Sequence, residues 1–333
     1  IYGRFARPGR IGEMSLLGFA LLMLSLVYGR HVAEAPSLAA YFDYSGEDLS
    51  MMLIAYGFFA SVLPVWALLA PRDYLSTFLK IGTIIGLAIG IFFVLPDLKM
   101  PAVTKFIDGN GPVFSGSLFP FLFITIACGA ISGFHALISS GTTPKMIDNE
   151  ADARVIGYGA MLMEGFVAIM ALVAATTLDP GIYFALNSPA ALIGTSPESA
   201  ATAISNWGFT ITPDLLRQAA ADVGEASILS RTGGAPTLAV GMAEILSNAI
   251  GGKALMAFWY HFAILFEALF ILTTIDAGTR VSRFMIQDLI GTAIPSFKAT
   301  RSWSANIIAT AIAVSAWGYF LYQGVVDPLG GIN

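Results

Sequence analysis

The feature that most limits what this chain can fold into is a series of apolar runs, each long enough to cross a bilayer. A spanning helix needs about 20 mostly apolar residues. Such runs occupy residues 11–28, 49–70, 78–95, 118–138, 155–178, 254–275 and 304–322. They are too long and too continuous for the strands of a membrane barrel, which alternate over about 10 residues. In hydrocarbon the backbone must satisfy its own hydrogen bonds. The expected class is therefore all-α, a polytopic transmembrane helix bundle with at least seven long helices. Composition agrees: 56% of the chain is apolar and 12% charged, where a soluble domain carries about 25% charged residues.

The order of the runs divides the chain into three parts. Residues 1–178 carry the first five helices. Residues 179–234 are polar and contain Pro180, Pro189, Pro197 and Pro213. They read as an extramembrane loop with short amphipathic helices, one over 198–207 and one starting at Thr212-Pro213-Asp214. There the threonine can cap the helix and the proline suits its first turn. Residues 235–333 hold a shorter apolar stretch, 235–250, and then the last two long runs. If 235–250 is re-entrant rather than spanning, most of the 17 basic residues fall on one side, as the positive-inside rule favours. That assignment puts Arg72, Lys80, Arg280 and Arg283 in or beside inner loops. Gly82, Gly86 and Gly90, and again Gly129 and Gly133, recur at four-residue spacing, which suits close helix packing.

Several functions are excluded by what is missing. The net charge is -5 with no basic face, which argues against nucleic acid as a partner. The single cysteine, Cys128, cannot form an intrachain disulfide. No HExxH, CxxC, Walker A or GxSxG pattern occurs. No metal site, cofactor or catalytic set is expected.

Chemistry is to be sought in polar residues that interrupt apolar helices. Ser132, His135 and Ser139 lie at i, i+3 and i+7, on one helix face. With Ser140, Thr142 and Thr143 they form a dense run of hydroxyls and glycines. Such a run suits a broken helix lining a substrate or ion cavity; a small-residue helix end before Pro144 is the alternative. Glu164 and Glu267 sit deep inside apolar runs, where a carboxylate is costly. Both are expected to point into the bundle, as coupling-ion sites or as hydrogen-bonded structural acids. His261, beside Trp259 and Tyr260, reads as an interfacial residue of the aromatic belt. Asp276 and Arg280, at i and i+4, read first as a helix-end ion pair at the inner boundary and alternatively as a gate. Arg72 and Asp73 read as a loop turn, and Lys80 as a snorkelling side chain.

These stretches carry a resemblance. The run ISGFHALISSGTTPK at 131–145 resembles the signature of the carbon starvation protein A (CstA) family. So do LPVW at 63–66, APRDYLSTFLK at 70–80 and IGYGAMLME at 156–164. GGAPTLAVGM at 233–242, FWYHFAILFEALF at 258–270 and DAGTR at 276–280 extend it over essentially the whole chain. The resemblance implies part of a LeuT-like, APC-type inverted-repeat transporter in the bacterial inner membrane. It implies uptake of peptides or pyruvate, coupled to a proton or cation and linked to carbon starvation, with membrane lipid around it. Members of the family are about twice this length, so the chain is expected to be an internal fragment. A membrane-embedded nutrient sensor without a transport cycle is the alternative; it would need an attached output domain.

Overall fold

The computed structural model describes residues 11–113, 116–120, 136, 138–139, 147–299 and 302–327. The helices, in chain order, are α1 (Ile11–Glu34), α2 (Pro36–Ala39), α3 (Gly46–Val62), α4 (Leu69–Val94), α5 (Asp152–Thr177) and α6 (Pro180–Asn187). Then follow α7 (Ala190–Ile193), α8 (Pro197–Asn206), α9 (Pro213–Asp222), α10 (Ala235–Ala249), α11 (Met256–Ala293) and α12 (Trp303–Val326). No β-strand occurs among the described residues, as the all-α reading requires. Four helical segments there are long and apolar enough to cross a membrane: Leu69–Val94, Asp152–Thr177, Gly252–Ala293 and Trp303–Val326. Most of the expected run 118–138 lies outside the described residues.

Two compact units partition the chain, Ile1–Gly82 with Leu269–Asn333, and Thr83–Ala268. In the first, α3 and α12 pack through glycines. A Cβ on Gly57 would come within 2.7 Å of the Trp317 ring, and one on Gly318 within 3.0 Å of Ile54. Deeper in, the Ser61 and Thr310 hydroxyls meet at 3.2 Å. The expected helix over 49–70 is cut short. Pro64 disfavours helical backbone at the residue before it, and Leu63 is extended at ψ 150. Helix α4 then starts at Leu69, with Pro71 in its first turn, where a missing N–H costs nothing. Arg72 and Asp73 are thus helical, not a loop turn.

The second unit is built on α10 and α5. A Cβ on Gly241 would lie 2.2 Å from the carbonyl oxygen of Ala174, so only glycine permits this approach. Of the three glycines expected to pack from α4, only Gly90 does so, against Ile245 and Leu246; Gly82 and Gly86 face open space. Helix α10 buries nine of its residues, from Thr237 to Ser247. Residues 179–234 fold onto this core. The Phe184 ring packs tilted against Phe209 at 4.5 Å and meets Trp207 edge-on. Both amphipathic helices form where expected: Ser196 caps α8, and the Thr212 hydroxyl accepts from the Leu215 N–H at 3.2 Å, with Pro213 at the first position. Arg231 ties the loop to α11, reaching Glu225 at 2.8 Å and the Tyr260 hydroxyl at 3.1 Å.

Candidate functional site

The long helix α11 continues well past residue 275, where the apolar run ends. At 1.5 Å per residue its 38 residues span about 57 Å, more than one bilayer crossing needs. Thr273, Asp276, Arg280, Arg283 and Gln287 recur along it at helical spacing and share a face. The last four are buried, with Asp276 at 0% exposure. Buried charge is tolerated only where partners replace water, and α3 and α4 supply them.

Asp276 is the centre of the first cluster. Its Oδ2 forms an ion pair with Arg72 Nη1 at 2.9 Å and accepts from the Tyr56 hydroxyl at 2.9 Å. Arg72 Nη1 also reaches the Tyr56 oxygen at 2.8 Å, closing a triangle of three side chains. The other end of the same guanidinium donates to Asp73 Oδ1 at 2.6 Å and to Thr273 Oγ1 at 3.0 Å. Lys80 Nζ donates to that threonine oxygen at 2.9 Å and lies 4.9 Å from the centre of the Phe270 ring. The Thr273 hydroxyl accepts from two cations and passes its own hydrogen back to Leu269 O at 2.8 Å. Asp276 Oδ1 and Arg72 Nε are buried and have no hydrogen-bond partner among the described residues. The cluster holds an acid whose second oxygen is available to a proton or an ion.

One turn along, Arg280 and Arg283 meet the broken end of α3. Pro64 has no N–H, so the carbonyl of Ala60, four residues earlier, lacks its helical donor. Arg280 Nη2 replaces it at 2.5 Å and also reaches Leu63 O at 2.8 Å. Arg283 Nη1 donates to Ser61 O. Gln287 ends the stripe, donating to Asn306 Oδ1 at 2.9 Å.

The expected Asp276–Arg280 ion pair is therefore not what forms. Asp276 pairs with Arg72 of α4, whose Nη1 approaches its Oδ2 together with the Tyr56 hydroxyl. The pair sits inside α11 rather than at its end. Arg72, Lys80, Arg280 and Arg283 are helical residues with polar partners.

A family model described as "Carbon starvation protein CstA" matches residues 1–333. The chain belongs to the CstA family. It is 66% identical over 338 residues to the peptide transporter CstA of Escherichia coli (strain K12), covering 100% of this chain and 48% of that protein. It is 60% identical over 333 residues to the peptide transporter CstA of Campylobacter jejuni, covering 100% and 47%. Against the pyruvate/proton symporter BtsT of Escherichia coli (strain K12) the identity is 56% over 355 residues, covering 100% and 49%. The chain thus spans about half the length of the curated relatives it matches. Their names describe transport, not catalysis. No solved structure matches the chain.

The CstA signature run falls largely outside the described residues: Ser132, His135, Ser140, Thr142 and Thr143 all lie there. Ser139 is described and exposed; its hydroxyl donates to Ala136 O at 2.9 Å. It borders a cavity of about 620 Å³ with Asp148, Glu150 and Gly157. Glu267 is half-buried on α11 and Glu164 is exposed on α5. Among its described residues α5 buries only Met170, Ala174 and Thr177, all in its C-terminal half. His261 is exposed, next to Trp259. Among the described residues no three His, Cys, Asp or Glu side chains gather as a metal site.

Tyr56, Arg72, Asp73, Lys80, Thr273 and Arg283 were not singled out as site residues from sequence. One signal was present: polar residues at 273, 276, 280, 283 and 287 keep the helical period, which marks a continuing helix with one polar face.

Proposed function

We propose that this chain is part of a secondary transporter of the bacterial inner membrane. It imports small nutrients, peptides or pyruvate, during carbon starvation, and it is driven by a proton or cation gradient within a LeuT-like inverted-repeat bundle. The observation that carries this reading is Asp276, fully buried in a CstA-family chain and clamped between Arg72 and Tyr56 with one oxygen unpartnered. Deep ionisable residues mark substrate and ion pathways in membrane proteins.

In this reading the Asp276–Arg72 pair is the gate. Protonating Asp276, or recruiting Arg72 to another anion, removes the charge attraction that joins α4 to α11. Glu267 carries the coupling ion, with His135 and Glu164 as the further candidates. The hydroxyls of Ser132, Ser139, Ser140, Thr142 and Thr143 line the substrate path.

The test is uptake by the full-length protein in proteoliposomes, comparing labelled pyruvate with a labelled dipeptide, with and without a pH gradient. Accumulation of either above equilibrium, abolished by dissipating the gradient, is expected. Absence of uptake of both, in protein that is correctly inserted and folded, overturns the proposal in favour of a sensor.

A further inference from the structure

The cluster around α11 carries more positive than negative charge. Its cations are Arg72, Lys80, Arg280 and Arg283; its carboxylates are Asp73 and Asp276, and both are engaged by Arg72. Arg280 and Arg283 are each 4% exposed. Neither has a carboxylate within ion-pair distance among the described residues. Every hydrogen bond they make is to a neutral backbone carbonyl at the end of α3. A helix C-terminus offers about half a negative charge, and Asp276 one turn before Arg280 is shared with Arg72, against two full positive charges. The Nε of each guanidinium is also buried without a partner. Capping the three carbonyls at the end of α3 uses one Nη of each guanidinium and leaves both Nε donors buried and unused.

We propose that Arg280 and Arg283 form a binding site for a carboxylate, the group that pyruvate and the C-terminus of a peptide have in common. This rests on the transport reading above. Guanidinium is the side chain suited to such a ligand, because its planar fork matches a carboxylate with two parallel N–H···O bonds. At i and i+3 the two forks sit on one face and can grip one anion together. The carbonyls of Ala60, Ser61 and Leu63 compete with that anion for the same donors. Binding therefore frees the end of α3 beside Pro64, one turn of α11 away from the Asp276–Arg72 pair. One site so placed explains how peptides and a 2-oxo acid can share a family: the anchor is common and the remainder of the ligand differs.

The experiment uses the purified full-length protein. Binding and thermal stabilisation are measured with pyruvate, propionate and L-alanyl-L-alanine, against pyruvamide, L-alanyl-L-alanine amide and chloride at matched ionic strength. The carboxylates should bind and stabilise; the amides and chloride should not. Arg280→Gln and Arg283→Gln should each weaken carboxylate binding roughly 30-fold or more, the scale for truncating one partner of a buried charge pair. If these variants do not fold, Arg280→Lys and Arg283→Lys keep the charge and lose the fork, and should bind measurably more weakly. Folded variants that bind carboxylates like the parent, or a parent that binds the amides equally well, overturn the site and reduce the arginines to caps. A parent that binds propionate through Arg283 yet shows no uptake leaves the site standing and removes the transport reading. A parent with neither binding nor uptake removes both.

Discussion

Asp276 takes its ion pair from Arg72 on α4, at 2.9 Å, and not from Arg280 one turn along its own helix. That choice joins α11 to α4 through a buried carboxylate and a partly buried guanidinium, with the Tyr56 hydroxyl of α3 bound to both. Stability and the proposed gate therefore meet at one contact.

Removing Arg72 leaves the buried Asp276 carboxylate uncompensated, at a cost of up to about 3–5 kcal/mol, the scale for a fully buried pair. Asp276→Ala and Arg72→Ala should each lower the thermal stability of the full-length protein strongly. The double variant should lose clearly less than the sum of the two. A double-mutant cycle by thermal unfolding measures this; additive losses would show that the pair is not coupled.

Asp276→Asn retains the shape and one acceptor but not the charge. Substrate exchange, which needs no net proton movement, should survive while gradient-driven accumulation falls. Paired counterflow and uptake assays separate the two. Equal accumulation in variant and parent would remove Asp276 from the gate.

Glu267 and Glu164 differ in burial, half-buried against exposed. Glu267→Gln should abolish accumulation and retain counterflow, while Glu164→Gln should accumulate nearly as the parent does. The reverse pattern in the same assays would transfer the coupling role to α5.

Two glycines offer a contrast in packing. Gly241→Ala places a methyl 2.2 Å from a backbone oxygen, which no side-chain rotation relieves. It should destabilise by about 1–3 kcal/mol, the usual cost of overpacking. Gly82→Ala meets nothing within 4 Å and should be neutral or stabilise by up to about 1 kcal/mol, since alanine is the better helix former. Thermal unfolding in detergent reads both.

Much was legible in local chemistry. Thr212-Pro213 marks the start of α9 by capping geometry alone, and apolar length alone marks α5 and α12. Pro64 was legible as a residue but not as a helix end, because proline within an apolar run can kink a helix as well as stop it. The stop depends on Arg280 and Arg283 arriving from a segment more than two hundred residues away to take the freed carbonyls. Lys80 similarly reads from sequence as a snorkelling side chain, and its partner Thr273 comes from a distant segment on α11.

By itself the sequence determined the all-α class, the apolar segments and the capped loop helices, because those follow from hydrophobic length and from bonds between residues a few positions apart. It also determined which residues would be costly to bury. Only the tertiary structure decided how that cost is met. It set Asp276 against Arg72 instead of Arg280, kept Glu267 half-buried and Glu164 exposed, and placed two arginines on the end of α3. The physical reason is that a buried charge is stabilised by whatever donors and acceptors surround it in space, and those come from other helices, whose identity no local pattern encodes.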